Sequence, residues 1–265
     1  MPELPDVEVF RSTADDHGLH RPVETVGFSP DGMTMTAAES TIRDALLGHT
    51  LTATRRWGKH LFLRSGEERQ RWLRLHFGMT GTLEALGPDA DTPEHTRLRL
   101  DLRGGSALAY VCPRKLGEIG LVTDPATFAD DHDLGPDYLH DGVGPATFRD
   151  RIADHGGTIK SALMDQERMA GLGNVYADET LFHAGWHPET PVSQRSDGDL
   201  EDLFGVALDV IRGAIHARVD PDRMPDDWLL PRREDGAPCP RCDGTLRKTE
   251  VSGRPTYHCD QHQAR

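Results

Sequence analysis

Residues 164–188 read MDQERMAGLGNVYADETLFHAGWHP. Apolar residues on both sides recur at helical spacing, and Gly171 and Gly173 break the pattern between them. The stretch therefore reads as a helix ending at Gly171, a two-glycine turn, and a second helix starting near Asn174. Backbone N–H groups at that second start, open to close approach because glycine lacks a Cβ, suit an anion. Asn174 either caps the helix or gives its amide to the anion. Lys160, on the preceding helix, adds a positive charge. In most proteins a glycine-rich joint between helices is only a turn, so its meaning depends on its neighbours.

Around this stretch the helical period continues. ATFRDRIADHG (146–156), TIKSALMDQERMAG (158–171), NVYADETLFHAGW (174–186) and GDLEDLFGVALDVIRGAIHAR (198–218) are amphipathic and would pack as a compact helical domain. Upstream, residues 22–122 change to a period of two. TLTATRRW (50–57), KHLFLRS (59–65), RWLRLHF (71–77), TRLRLDL (96–102) and SALAYVC (106–112) are short runs separated by turn formers, as in a β-sandwich or barrel. Asp6 to about Gly18 suits a short leading helix. The acidic, turn-rich segment 123–145 marks a boundary, and 219–238 is a Pro/Asp-rich linker. The expected class is α+β and multidomain: a catalytic β-sandwich over 1–130, a helical domain over 131–230, and a cysteine-bearing hairpin over 231–265.

That last module carries CPRC (239–242) and CDQH (259–262), with sixteen residues between Cys242 and Cys259. Two such knuckles direct Cys239, Cys242, Cys259 and His262 at one tetrahedral Zn²⁺. His258, beside Cys259, is the competing imidazole, although its spacing is wrong for a knuckle. A module this small has little core, so the metal would supply much of its stability. The intervening EVSGRPTYH reads as a hairpin with Arg254 at its tip, a position suited to phosphate contact. Cys112 stands alone and reads as a buried thiol.

The net charge of −14 disfavours a polyanionic partner if taken as an average. Its distribution is uneven. Residues 51–74 hold seven basic side chains against Glu67 and Glu68, whereas 121–150 hold seven aspartates against Arg149. Residues 196–227 are acidic, and the segment from 231 onward is slightly basic. Either the acidic surface is simply solvated, or an acidic body carries one basic face. No apolar run reaches membrane-spanning length, and the acidic start MPELPDVEVF lacks a signal-peptide pattern, so a cytoplasmic protein is expected; the expected assembly state is a monomer.

Three further places stand out. Pro2 and Glu3 put a secondary amine and a carboxylate at the chain start. RRWGKHLFL (55–63) places Lys59 after a glycine. HFGMTG (76–81) and CPRKLG (112–117) place Met79, Arg114 and Leu116 in glycine-flanked loops.

Taken in order, PELPDVE, GKHL, HFGMTG, PRKLG, the 164–188 stretch and the terminal cysteine hairpin resemble the formamidopyrimidine-DNA glycosylase / endonuclease VIII family over essentially the whole chain. The resemblance implies a bifunctional DNA glycosylase/AP lyase with an N-terminal β-sandwich, a helix–two-turn–helix domain and a zinc finger, and with DNA bound in the cleft between. Its partner would be double-stranded DNA holding oxidised bases or abasic sites, and the protein would be nucleoid-associated when so bound. By the same resemblance, Pro2 attacks C1′ through its amine and Glu3 serves as general acid/base. The resulting iminium drives β- and then δ-elimination. Lys59 belongs both with this catalytic pair and, with Asn174 and Arg254, among the phosphate contacts. Met79, Arg114 and Leu116 fill the gap left by the flipped base.

The chain departs from the family pattern at His262, where a fourth cysteine is usual, at Leu116 in place of phenylalanine, and at Cys112 in place of an acid. The 217–238 region is short for a loop that covers oxidised guanine, so oxidised pyrimidines or ring-opened purines are the expected substrates. Were Met1 retained, Pro2 would be an amide and the protein a non-catalytic damage binder. A zinc-ribbon interaction protein is the third reading.

Overall fold

The computed structural model describes residues 1–66 and 71–263. The chain divides into two compact units, Met1–His132 and Asp133–Arg265.

The first unit opens with α1 (Leu4–Gly18), followed by β1 (Val23–Phe28), β2 (Thr34–Met35) and α2 (Glu39–Leu46). Seven strands follow: β3 (Leu51–Trp57), β4 (His60–Ser65), β5 (Trp72–His76), β6 (Thr82–Leu86), β7 (Thr96–Leu102), β8 (Ala107–Val111) and β9 (Glu118–Val122). The unit closes with α3 (Pro125–Asp131). The strands form two sheets, ordered β1-β7-β8-β6 and β2-β9-β5-β4-β3. All pairings are antiparallel except β2 with β9.

The alternating strands bury one face each. Leu63, Leu73 and Leu75 of one sheet meet Leu83, Leu98, Leu100, Leu108 and Tyr110 of the other. This is the expected sandwich. Helix α1 packs on β3, β4, β6 and β8. It is pinned to β3 by Arg56 Nε donating to Glu8 (2.9 Å) and by Thr54 donating to Asp15 (2.5 Å). The short helices α2 and α3 were not legible as helices in the period-two region and the boundary segment. Asp124 caps α3 through Ala126 and Thr127 N–H, and Pro125 fixes its first turn. The same Asp-Pro pair also reads as a turn.

The second unit holds α4 (Pro145–Ile152), α5 (Ile159–Met164), α6 (Asn174–Ala184), α7 (Asp197–His216) and the hairpin β10 (Arg247–Val251) with β11 (Arg254–His258). Tyr138, Phe148 and Phe204 cluster beneath α4 and α7. The helix expected to run to Gly171 ends at Met164. Side chains beyond it take over the backbone partners. Asp165 accepts from Glu167 N–H, the Gln166 amide donates to the carbonyls of Met164 and Leu172, and Gln166 accepts from Gly171 N–H.

Helix α6 starts at Asn174, as expected, and ends on Gly185 at φ +68°, a left-handed position that favours glycine. The 219–238 linker is docked at its middle. The buried Glu179 carboxylate of α6 accepts from Leu229 N–H (2.9 Å) and Leu230 N–H (2.6 Å).

Candidate active site and metal centre

Glu3 is the N-cap of α1 and is 1% exposed. Its carboxylate and that of Asp6 form a reciprocal capping box, in which Glu3 N–H donates to Asp6 Oδ2 at 2.9 Å. Pro2 is therefore the last residue before a rigid helix start, not part of a fraying end. Burial raises the Asp6 carboxyl to about 6, with the Glu3 charge adding to the rise and the Glu3 N–H opposing it. Asp6 is a site residue that is inconspicuous in the sequence. Its signal was the i, i+3 spacing of the two acids ahead of an apolar run.

Lys59 sits in the two-residue turn between β3 and β4, after Gly58 at φ +54°. The basic stretch does not form a uniformly basic face. The Arg56 and Arg74 side chains are 5% and 4% exposed and are spent on ion pairs with Glu8 and Glu118. Arg69 lies outside the described residues.

Met79 and Leu116 are 44% and 51% exposed, and Arg114 is exposed beside them. Their two loops touch backbone to backbone. A Cβ on Gly78, at φ +59°, would lie 2.4 Å from the Leu116 carbonyl carbon and oxygen. Tyr110 Oη donates to the His76 carbonyl at 2.9 Å beneath them. Two apolar tips and one guanidinium thus project from a single rigid base.

In the second unit, Asn174 does not cap α6; Gly173 occupies the N-cap. The Asn174 amide instead donates to the Pro255 carbonyl at 2.8 Å, holding the helix start against the strand that begins with Arg254. The hairpin turn is Ser252–Gly253, both left-handed, with Arg254 exposed just after it. Asn174 and Arg254 are therefore neighbours. Lys160 is different. Its side chain is fully buried, its ammonium lies 2.7 Å from Asp178 Oδ1, and it donates to Thr256 Oγ1 at 2.5 Å. A direct phosphate contact, as expected for it from sequence, does not match this enclosure; Lys160 holds α5 to α6 and to β11.

Cys239, Cys242 and Cys259 are free thiols whose sulfurs all lie within 4.8 Å of one another. The Cys242–Cys259 separation is 3.5 Å, close to the roughly 3.8 Å edge of a tetrahedron with 2.3 Å zinc–sulfur bonds. Gly244 N–H points at the Cys242 sulfur, as in a metal knuckle, and a Cβ on Gly244 would come within 3.0 Å of the Cys259 sulfur. The donor set fits zinc.

His262 stands outside the three-thiol group, with Nε2 at 2.8 Å from the Phe182 carbonyl. That bond leaves Nδ1 as its ligand-capable atom. His258 belongs elsewhere: it groups with His187 and Asp260. Because His187 Nδ1 already accepts from Glu189 N–H, its Nε2 carries the ring proton and faces Asp260. Asp260 is shared by the two imidazoles, at 3.6 Å from His187 Nε2 and 3.2 Å from His258 Nδ1.

The profile described as the formamidopyrimidine-DNA glycosylase N-terminal domain matches residues 1–119, and the profile of that enzyme's H2TH domain matches 134–223. A formamidopyrimidine-DNA glycosylase of Desulfitobacterium hafniense is 31% identical, with 98% of each chain covered.

The chain belongs to the formamidopyrimidine-DNA glycosylase family.

A second relative in the family, from Symbiobacterium thermophilum, is 32% identical and covers 99% of this chain and 89% of its own. Among solved structures, a point mutant of the Lactococcus lactis family member, in complex with DNA containing Fapy-dG, superposes with a TM-score of 0.87 at 25% identity over the full length of both chains. A complex of the Lactococcus lactis protein with abasic-site DNA superposes at 0.86 and 23% identity, with 99% of this chain and 100% of that one covered, a likeness of fold. The relatives' coverage runs through both units, across the sandwich, the helical element and the cysteine hairpin. Among the described residues, no helix is long and apolar enough to cross a membrane.

Proposed function

We propose that this protein is a base-excision DNA glycosylase with AP lyase activity, using the amine of Pro2 as its nucleophile. The observation that carries the reading is the placement of Pro2 immediately before a buried Glu3 that is held in a capping box. Removal of Met1 turns the Pro2 nitrogen into a secondary amine. Its lone pair attacks C1′ of the damaged nucleotide, and the glycosidic electron pair leaves with the base.

Glu3 protonates the sugar ring oxygen as the ring opens, leaving a cationic iminium between Pro2 and C1′. That cation acidifies the C2′–H. Loss of this proton expels the 3′ phosphate, and a second elimination expels the 5′ phosphate. Hydrolysis of the iminium returns the amine.

Lys59, Asn174 and Arg254 are assigned to phosphates flanking the lesion. Met79, Arg114 and Leu116 are assigned to the gap left by the flipped nucleotide. One Zn²⁺, held by Cys239, Cys242, Cys259 and His262 through Nδ1, would fix the hairpin that presents Arg254; its role is structural. The 3.5 Å sulfur separation and the knuckle N–H support the three cysteine ligands. Ring-opened purines and oxidised pyrimidines are the proposed substrates; the DNA of the Lactococcus lactis complex holds Fapy-dG.

The test is excision and strand cleavage on duplexes each bearing one lesion. Release of a ring-opened purine with both phosphates cleaved supports the reading. Binding without cleavage by a protein shown to lack Met1 contradicts it.

A further inference from the structure

Arg97 lies on β7 and is 2% exposed, yet it carries a charge. Its Nε donates to the Cys112 carbonyl at 3.0 Å. That same carbonyl accepts from Lys115 N–H at 3.3 Å and so closes the turn Cys112–Pro113–Arg114–Lys115. Proline in the second place and Lys115 at φ +54° complete the turn. On its other side, the Arg97 guanidinium donates to Asp31 Oδ2 (3.2 Å) and Ser29 Oγ (3.3 Å). Lys115 Nζ reaches back to the Asp31 carbonyl at 2.8 Å. The turn that carries Arg114, with Leu116 next in line, is therefore strapped to the 29–31 loop through one buried cation.

Buried guanidinium groups are costly unless their partners are held in place. Burying one here serves geometry: the fork fixes a carbonyl, and the carbonyl fixes the turn.

We propose that Arg97, with Asp31 as its counter-ion, is a positioning residue that sets how strictly the enzyme discriminates the base opposite the lesion. The proposal rests on the assignment of Arg114 and Leu116 to the gap in the duplex. Neither Arg97 nor Asp31 needs to touch DNA. A loosened strap lets the turn shift, and discrimination depends on where Arg114 stands. Cleavage of an abasic site that is already formed needs no such discrimination.

The experiment compares Arg97→Lys and Asp31→Asn with the parent and with Arg103→Gln. Arg103 is an exposed arginine just past the end of β7, so its replacement is the control. Two quantities are read. In the free protein, trypsin cleavage after Lys115 reports order in the turn. With single-lesion duplexes carrying each of the four opposite bases, the ratio of fastest to slowest excision reports discrimination. Melting temperature and strand cleavage at a preformed abasic site are measured alongside.

Both variants are expected to be cut faster after Lys115. Their discrimination ratio should fall on the order of tenfold, the effect of losing one charge-assisted hydrogen bond, with abasic-site cleavage unchanged. Cleavage after Lys115 and discrimination both equal to the parent would overturn the proposal. So would an equal fall in discrimination and abasic-site cleavage accompanied by a lower melting temperature, because Arg97 would then only maintain the fold. If the parent excises no lesion opposite any base, the proposed function fails instead, and the trypsin comparison alone decides whether Arg97 straps the turn.

Discussion

The Lys160 ammonium lies 2.7 Å from the Asp178 carboxylate, and neither side chain has any exposed surface. Arg233 approaches the second oxygen of the same carboxylate at 2.9 Å, and Tyr257 N–H donates to it at 3.1 Å. One acid thus holds two cations and joins α5, α6, the linker and the hairpin.

Because the fully buried Lys160 and the partly exposed Arg233 both depend on Asp178, Asp178→Asn should be severely destabilising, by about 3–5 kcal/mol. Lys160→Met removes one cation and leaves Asp178 with Arg233, so its cost should be smaller. Urea unfolding of both variants checks the order. Lys160→Met should also leave the salt dependence of DNA binding unchanged, since an enclosed ammonium neutralises no phosphate.

Met79→Ala with Leu116→Ala removes both exposed tips of the paired loops while leaving Gly78 and the backbone contact intact. Excision of a stacked, damaged base should fall by about tenfold or more, because the vacated space is no longer filled. Cleavage of an abasic site should change little. Single-turnover rates on the two substrates measure the split; equal losses on both would contradict the gap-filling assignment.

Stability should fall as the solution becomes mildly acidic, and His60 is a principal cause. Burial, then the neighbouring charges of His76 and Arg74, holds its imidazole well below the usual value near 6.5. The unfolded chain takes up a proton there that the folded chain refuses. The contribution is therefore fully present above about pH 6.5 and is lost as pH falls below it. Asp6, raised to about 6, acts in the opposite sense at lower pH: its folded form keeps a proton, so its contribution is lost as pH rises from about 4 through 6. His60→Phe should gain melting temperature relative to the parent as pH drops from about 7.5 to 6, a comparison that calorimetry makes directly.

Zinc content should be one per chain. His262→Ala should weaken metal retention by at least about tenfold, as measured against a chromophoric chelator. His258→Ala should leave the stoichiometry at one. Stripping the metal should reduce DNA affinity through loss of the hairpin that presents Arg254. The opposite ranking of the two histidines would move the fourth ligand to His258.

The strands of the sandwich and the start of α6 were legible because their signals are local: a period of two, and glycines before Asn174. The hairpin was legible from the cysteine spacing. Less legible were features set by partners far along the chain. Lys160 reads as a surface cation until Asp178 and Thr256 enclose it. The basic run 51–74 reads as a face until Glu8 and Glu118 claim Arg56 and Arg74. Gln166 turns a helical-looking stretch into a loop by bonding its own backbone neighbours. Asp6 carries only the spacing of two acids and Arg97 no motif at all, and their significance lies in what they touch.

The most direct measurement is borohydride trapping on DNA with a single abasic site, using protein whose intact mass shows loss of Met1. The account predicts a covalent protein–DNA adduct of one-to-one mass through the Pro2 nitrogen. That adduct should be abolished in a variant that retains a residue ahead of Pro2. Its yield should drop strongly in Pro2→Gly and Glu3→Gln. An undiminished adduct in those variants, or no adduct from the processed parent, would contradict Pro2 as the nucleophile.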